Sequence, residues 1–241
     1  MGVWICYVCE VHLKQAEDFM RTFPELRGAP FGFLLLDALA QEREYNRNAS
    51  GVLVAHTNPL LDPETCHAMI QEAHARLGMV HSYGGWLEDR RVLWRGSYLE
   101  RDQHWIHVGV DFMVPAGTRI AATWNAIVEQ VDDDTPEVGG WGPRVIVRLK
   151  DTPNILLIFA HLGVVFCKKN DSLSPGGIFA TVGAPPNNGG WFPHLHVQAI
   201  DLDHFDGDWS AVVRSVDGYI HDSLLPNAAK MFPDPMRYVR L

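Results

Sequence analysis

The sequence predicts an α+β protein, in which a β-rich core of antiparallel strands carries an α-rich N-terminal extension. Two observations support this fold class. Apolar residues recur with helical spacing through much of residues 1–85, whereas short β-rich runs begin near Val92, broken by Gly, Pro, Asn and Asp. Because turn clusters separate several of these runs, an antiparallel sheet system is expected instead of strand–helix–strand units.

Two helices are predicted within the N-terminal extension. The first covers residues 34–47, where apolar residues on one face precede a charged Gln-Glu-Arg-Glu run. The second begins near Asp62, which is a suitable N-cap, and Pro63 fits its first turn. Its apolar positions continue to Gly78, where the helix is expected to stop.

Seven strands are predicted in the remainder of the chain. They cover residues 106–114, 119–122, 126–132, 145–150, 155–161, 179–182 and 194–200. We divide the chain into an extension over 1–85, a core over 86–200 and a tail over 201–241 that packs on the core. The acidic run 132–134 is expected to be a solvated turn, with calcium binding as the less favoured alternative.

Charge and composition exclude several classes of partner. The chain has 241 residues and a net charge of −9, and no cluster of Lys and Arg could follow a nucleic-acid backbone. The apolar start is short and has no basic segment before it, so neither a signal peptide nor a membrane span is expected. We therefore expect a cytoplasmic protein that binds no nucleic acid.

The four cysteines are expected to be free thiols. Cys6 and Cys9 have the spacing of a zinc or redox motif, but no second cysteine pair follows them at a suitable distance. Cys66 and Cys167 are isolated. In a reducing compartment, such residues pack as small apolar side chains.

Histidines within apolar segments are the strongest functional signal. His194 and His196 alternate in a predicted strand, so their side chains should point into the same cleft. His107 and Asp111 lie in an earlier predicted strand, and His161 lies between the two motifs. Burying imidazoles and a carboxylate is costly unless something binds them, and a metal ion does so well.

The order of these residues resembles that of the lysostaphin-type zinc endopeptidases, peptidoglycan hydrolases with a LytM-like fold. A His-x-x-x-Asp pair at His107 and Asp111 comes first, an Ala-His-Leu around His161 follows, and a Pro-His-x-His at His194 and His196 comes last. The resemblance covers about residues 86–200, with no motif position substituted. The flanking segments 86–90 and 188–193 are similar to a branch of the family that is also found fused to aminotransferase and kinase-like domains.

The resemblance implies a zinc ion bound by His107, Asp111 and His196, at the floor of a narrow groove between two antiparallel sheets. His161 and His194 would be the catalytic pair. Three protein ligands leave zinc's fourth position open for water, whose pKa falls to about 7. One catalytic histidine would take a proton from the water, and the other would donate to the oxyanion or the leaving amine.

The implied function is zinc-dependent endopeptidase activity on peptide bonds of peptidoglycan cross-links or related muropeptides. The alternative is a non-catalytic zinc-binding module that serves interaction or regulation. Such modules commonly lose the catalytic histidines, so the presence of both His161 and His194 favours an enzyme. Two alternatives remain for the substrate: either the protein is exported by a route that the sequence does not show, or it acts on intracellular muropeptides or another small amide. An N-terminal extension that narrows the groove would fit the second.

Further residues are expected around the site. Gln198 lies on the same strand face as His196, where it either donates a hydrogen bond to a ligand or only lines the wall. Trp141 and Trp191 lie in glycine-rich loops and are expected to wall the groove. His104 falls on the strand face opposite His107 and is expected to lie outside the site.

Overall fold

The computed structural model describes residues 21–49, 62–134, 140–206, 209–215 and 217–239. Short 3-10 helices cover Pro24–Leu26, Leu202–His204 and Asp222–Leu224. The α-helices are α1 (Leu36–Ala49), α2 (Pro63–Leu77), α3 (Tyr98–Asp102), α4 (Trp209–Ser215), α5 (Leu225–Met231) and α6 (Met236–Val239). The strands are β1 (Phe31–Phe33), β2 (His81–Gly84), β3 (Glu88–Asp89), β4 (His104–His107), β5 (Val110–Met113), β6 (Arg119–Ala121), β7 (Ala126–Asp134), β8 (Gly142–Leu149), β9 (Ile155–Ala160), β10 (Leu162–Val165), β11 (Ser172–Leu173), β12 (Ile178–Val182), β13 (Leu195–Asp201) and β14 (Tyr219–His221).

The described strands form one large sheet and two small ones. The large sheet has eight strands in the order β1-β2-β5-β13-β9-β8-β7-β11, and the small sheets have the orders β10-β12-β6 and β14-β4-β3. The pair β1·β2 is parallel, and the other strand pairs are antiparallel. The predicted α+β class with a core of antiparallel sheets is confirmed. The described residues contain three sheets, where two were expected.

Helix α2 begins and ends where the sequence predicts. The Asp62 side chain accepts a hydrogen bond from the backbone N–H of Glu64, and Pro63 occupies the first turn. Gly78 ends the helix in the left-handed conformation at φ 68°, which glycine adopts without a steric penalty. The apolar face of α2, which includes Met69 and Ile70, is buried in a core shared with the start of α1.

Aromatic side chains join the large sheet to the small sheet that contains β12. Phe159 of β9 and Phe179 of β12 meet edge to face with ring centroids 5.1 Å apart, and Trp124 packs against both. Both phenylalanines are buried, and each stabilises the fold by roughly 1.5–3 kcal/mol through loss of apolar surface from water. This packing gives β9 and β13 a rigid support behind the site.

The predicted strand over 106–114 is two strands that lie in different sheets. Strand β4 ends at His107 and pairs with β14, whereas β5 begins at Val110 and pairs with β13 in the large sheet. Between them, the backbone N–H of Val108 donates to the carbonyl of Gly218. A continuous apolar run does not reveal a change of sheet, because both strands bury their side chains.

The predicted turn over 132–134 is wrong. These residues form the end of β7 and pair with the start of β8. Asp132 accepts two hydrogen bonds from the Arg144 guanidinium, each 2.8 Å long, so an ion pair across the strands satisfies the acidic side chain. The local sequence shows the acidic run but not the arginine that faces it.

Other predictions fall partly outside the described residues. Cys6 and Cys9 lie there, whereas Cys66 is a buried free thiol and Cys167 a half-buried one. Burial raises the pKa of the Cys167 thiol to about 11, so it is protonated at neutral pH. No helix in the described part of the chain is both long enough and apolar enough to cross a membrane.

Candidate metal centre

Three buried side chains from three strands form the candidate metal centre. His107 is the last residue of β4, Asp111 lies in β5, and His196 lies in β13. Asp111 and His196 face each other as partners in the antiparallel pairing of β5 with β13. One potential ligand atom from each residue lies within 4.8 Å of the other two. The structure thus brings together the three residues that the sequence suggests as ligands.

The ligand atoms converge closely. The Nε2 atom of His107 lies 3.1 Å from Nδ1 of His196 and 3.5 Å from Oδ1 of Asp111. Nδ1 of His196 lies 3.0 Å from the same oxygen. The three residues are each no more than 2% exposed, so water does not solvate them in place of a ligand.

Hydrogen bonds on the far sides of the two rings determine which nitrogens carry protons. Nδ1 of His107 donates to the carbonyl of Gly85 at 2.9 Å, which leaves Nε2 unprotonated in the neutral ring. Gln198 donates its amide N–H to the Asp217 carbonyl, so its oxygen accepts from Nε2 of His196 at 3.2 Å. With the His196 proton on Nε2, its Nδ1 can bind a metal, as can Nε2 of His107 and Oδ1 of Asp111. Two imidazole nitrogens and a carboxylate oxygen form a donor set that fits a divalent cation.

The pKa values agree with this assignment. Burial, followed by repulsion from Arg90, lowers the pKa of His107 to about 4, so its ring is neutral at pH 7. Burial alone would raise the pKa of Asp111, but His107 and the Arg90 guanidinium hold it well below its usual range. The His107 imidazole is neutral and Asp111 is a carboxylate, which are the states that zinc prefers in its ligands. Two imidazoles with one carboxylate is also a ligand combination that occurs in catalytic zinc sites.

His161 and His194 lie beside these residues. Their ring centroids are 4.3 Å apart, and that of His161 is 5.9 Å from the ring of His196. Nδ1 of His161 donates to the Asn188 carbonyl at 2.8 Å, and Nδ1 of His194 donates to the Phe192 carbonyl at 2.7 Å. In the neutral rings, Nε2 is therefore the proton acceptor. Burial, the largest cause, lowers the pKa of both histidines.

The backbone at His161 is unusual. This residue connects β9 to β10 with a φ of 61°, a left-handed conformation that is uncommon for side chains larger than glycine. Its backbone N–H donates to the Trp141 carbonyl, and its carbonyl accepts from Gly183. These two bonds hold a strained residue at the junction of two strands, as is found at many functional sites.

A cleft of about 390 Å³ opens over the candidate metal centre. Trp141 and Trp191 line it, as the sequence suggests. Further walls come from Trp94, from residues 96–99, which include Tyr98, and from the tail residue Tyr219. Trp94 and Trp191 pack with ring centroids 4.9 Å apart. The cleft is mainly aromatic, with the potential ligands and His161 at its base.

Three residues at the site were given no role by the sequence. Arg90 is fully buried and forms an ion pair with Asp111, and its other nitrogens contact Glu88 and the Tyr219 hydroxyl. Glu88 and Arg90 belong to the segment 86–90 that carries the family resemblance, and this is the only sequence feature that could have identified them. No sequence feature could have identified Tyr219, because it pairs with His107 across more than a hundred residues.

Two neighbouring residues can also be placed. Gln198 contacts His196 through its carbonyl oxygen, so it accepts a hydrogen bond from the ring instead of donating one. His104 lies at the opposite end of β4 from His107 and pairs with His221 of β14. It does not line the cleft.

Comparisons with known proteins bear on the family. Residues 105–206 match peptidase family M23. Comparison with curated proteins gives no match. The catalytic domain of lysostaphin from Staphylococcus simulans is similar at 20% identity over 56% of this chain and 80% of that chain, with a TM-score of 0.40. A variant catalytic domain of a prophage-encoded M23 protein from Enterococcus faecalis is 25% identical over 42% of this chain and 80% of that chain, with a TM-score of 0.34. A zinc containing peptidase from Vibrio cholerae is 23% identical over 41% of this chain and 28% of that chain, with a TM-score of 0.34.

The family match includes all five histidine and aspartate positions of the site: His107, Asp111, His161, His194 and His196. The cleft walls formed by Trp94, by residues 96–99 and by the tail lie outside the matched residues. The predicted resemblance to lysostaphin-type peptidases is confirmed: residues 105–206 of this chain match peptidase family M23.

Proposed function

We propose that this chain is a zinc-dependent metallopeptidase that hydrolyses amide bonds of peptidoglycan cross-links or muropeptides. The observation that carries the proposal is the convergence of three buried potential ligand atoms, from His107, Asp111 and His196, within 4.8 Å of one another. A zinc ion held there would supply Lewis acidity, which makes water more acidic and polarises the substrate carbonyl. The match to family M23 supports the same class of reaction.

The proton transfers are assigned to His161 and His194. Each ring donates through Nδ1 to a main-chain carbonyl, so each presents an unprotonated Nε2 at neutral pH. Either ring can therefore accept the proton that water releases as it attacks. A ring donates to the leaving amine only after it has been protonated, so the transfer to the amine follows the transfer from water. The carbonyls of Asn188 and Phe192 keep both rings oriented during these steps.

The cleft walls support a small substrate. Trp94 and Tyr98 precede the matched domain and Tyr219 follows it, and all three line the cleft above the ligands. These aromatic side chains take up space at the site and offer apolar faces instead of charges. We propose that they restrict the enzyme to short peptides, such as those of soluble muropeptides, and exclude the cross-linked wall.

The catalytic assignment can be tested with His161→Ala. The variant should keep stoichiometric zinc, because its ligands are untouched, while its hydrolysis of muropeptides falls about 10²- to 10⁴-fold. His104→Ala is the matched control, since His104 lies on β4 but does not line the cleft. Zinc is measured by elemental analysis of protein purified without chelators. Wild-type protein that holds zinc but is as inert as the variant would favour the non-catalytic binding module.

The substrate is tested by incubating the wild-type protein with intact wall sacculi and, separately, with soluble muropeptides. Mass spectrometry of the products identifies the bond that is cut. We expect cleavage of the soluble fragments. Cleavage of sacculi alone would contradict the restriction to short peptides but not the assigned chemistry.

A further inference from the structure

We propose that Arg90 is a positioning residue that occupies one oxygen of Asp111 and so leaves this carboxylate a single atom with which to bind metal. The inference rests on the proposed zinc site and extends it to a residue that lies outside the matched domain. The inference is about the number of protein atoms that can bind the metal, because this number distinguishes a catalytic metal site from a structural one.

The two carboxylate oxygens of Asp111 have different surroundings. Oδ1 faces the other potential ligands, 3.0 Å from Nδ1 of His196 and 3.5 Å from Nε2 of His107. Oδ2 lies 2.8 Å from Nη2 of Arg90. Neither Oδ2 nor Nη2 has a hydrogen-bond partner among the described residues, so the ion pair is the polar contact that these two atoms make. One oxygen of the carboxylate thus contacts the arginine, and the other faces the candidate metal centre.

Other contacts prevent the guanidinium from turning away. Arg90 is fully buried, its Nε donates to Glu88 at 2.7 Å, and its Nη1 donates to the Tyr219 hydroxyl at 2.9 Å. The second oxygen of Glu88 accepts from the backbone N–H of Asp37 at 2.8 Å. Because Glu88 balances the charge of Arg90, the guanidinium can hold Oδ2 without adding net positive charge beside a cation.

This arrangement has a consequence for chemistry. A carboxylate can bind a metal ion through one oxygen or through both. Catalytic zinc sites use three protein ligands and keep a fourth position open, whereas structural sites are closed. If Oδ2 were released, Asp111 could offer both oxygens and fill the position that the reaction needs. Arg90 therefore keeps the site open by holding Oδ2.

A purely structural role for Arg90 makes a different prediction. If the ion pair only supported the fold, its loss would weaken zinc binding and stability together. If Arg90 restrains Asp111, its loss should leave zinc bound at least as tightly while changing the coordination. The metal affinity and the spectrum of a substituted ion therefore distinguish the two roles.

The test uses the double variant Glu88→Gln/Arg90→Met, which removes both charges so that no unbalanced Glu88 is left buried. The control is Glu129→Gln/Arg148→Met, which removes another Arg–Glu ion pair, 2.6 Å long, from β7 and β8. Each protein is loaded with Co²⁺ in place of zinc, because Co²⁺ absorbs visible light strongly in four-coordinate sites and weakly in sites of higher coordination. Zinc affinity is measured by competition with a chelator.

We expect the Arg90 double variant to bind zinc no more weakly than the wild type, to show weaker Co²⁺ absorption and to lose activity about 10- to 100-fold. The control should match the wild type in all three measurements. Arg90→Lys retains a cation near Oδ2 and should absorb as strongly as the wild type. This variant therefore tests the role of Arg90 even if the double variant does not fold.

Three results would overturn the inference. One is wild-type Co²⁺ absorption in the double variant, and a second is a parallel loss of zinc affinity and stability. A third is absorption in Arg90→Lys as weak as in the double variant. A wild-type protein that binds neither ion would instead refute the proposed function, and this inference with it.

Discussion

Gly109 lies against the imidazole of His196, between the strand that ends at His107 and the strand that carries Asp111. A Cβ atom at this position would collide with Cε1 and Nε2 of His196 and would lie 2.9 Å from the carbonyl of Val197. The ring cannot retreat easily, because Nε2 also contacts Gln198. The absence of a side chain at position 109 is thus a requirement of the metal centre.

Gly109→Ala should therefore displace His196 and weaken zinc binding about 10- to 100-fold, the range typical when the orientation of a ligand is disturbed. Gly218→Ala is the matched control, since its Cβ would meet the same ring at 3.6 Å, an ordinary van der Waals distance. Chelator competition measures both affinities. Equal zinc affinity in the two variants would show that the close contact at Gly109 does not position the ring.

Helix α2 meets strand β2 through a buried polar contact. Nε2 of His74 lies 2.7 Å from the hydroxyl of Ser82, and the His74 side chain is buried. Burial is the main cause that lowers the pKa of His74 from 6.5 to about 4, and the neighbouring His81 lowers it further. The helix is therefore docked on the sheet through an imidazole that must stay neutral.

This contact predicts a pH-dependent stability. Because the folded pKa of His74 is below the unfolded value of 6.5, the unfolded chain binds the proton first as the pH falls. The contribution is complete above pH 6.5 and is lost as the pH falls towards about 4. Between pH 7 and pH 5, His74 should account for about 2 kcal/mol of lost unfolding free energy.

His74→Gln keeps a hydrogen-bonding side chain without a titrating group, so its stability should fall less than that of the wild type over this range. Urea unfolding in the presence of chelator measures the difference without interference from metal. The control is His67→Gln, on the exposed side of the same helix, because His67 is the smallest of the causes that shift the pKa of His74. This variant should lose nearly as much stability as the wild type. Parallel pH profiles for wild type and His74→Gln would contradict the assignment.

Across the whole molecule, the metal centre connects two sheets. His107 belongs to the sheet β14-β4-β3, whereas Asp111 and His196 belong to the eight-stranded sheet. The Oδ1 atom of Asp111 lies 3.0 Å from Nδ1 of His196 and 3.5 Å from Nε2 of His107. A bound ion would tie together segments that are far apart in the chain.

Zinc should therefore raise the thermal stability of the whole protein. At a free zinc concentration 1,000 times the Kd, the gain is about 4 kcal/mol, or roughly 10 °C in Tm for a chain of this length. Mg²⁺ should give little shift, since it prefers octahedral oxygen ligands. Asp111→Ala should abolish the zinc-dependent shift in differential scanning calorimetry. A shift that persists in this variant would place the ion elsewhere.

The elements that the sequence determined are those with local signals. Asp62 and Gly78 mark the ends of α2 because a cap depends on residues within one turn of each end. Strands such as β9 and β13 were found within a residue or two because their apolar runs are bounded by turn residues. The proposed division of the chain near residues 85 and 200 stays a prediction.

The sequence by itself also determined which residues make up the candidate site: the order of His107, Asp111, His161, His194 and His196 predicted a metal site with two further imidazoles, and the structure brings these residues together. Tertiary structure alone decided how these residues are held. The change of sheet at Gly109, the ion pair of Arg90 with Asp111 and the contact of Tyr219 with Arg90 join positions in different elements. Such contacts depend on which strands pair and which side chains are buried together. Neither the periodicity nor the spacing of residues along the chain predicts this pairing.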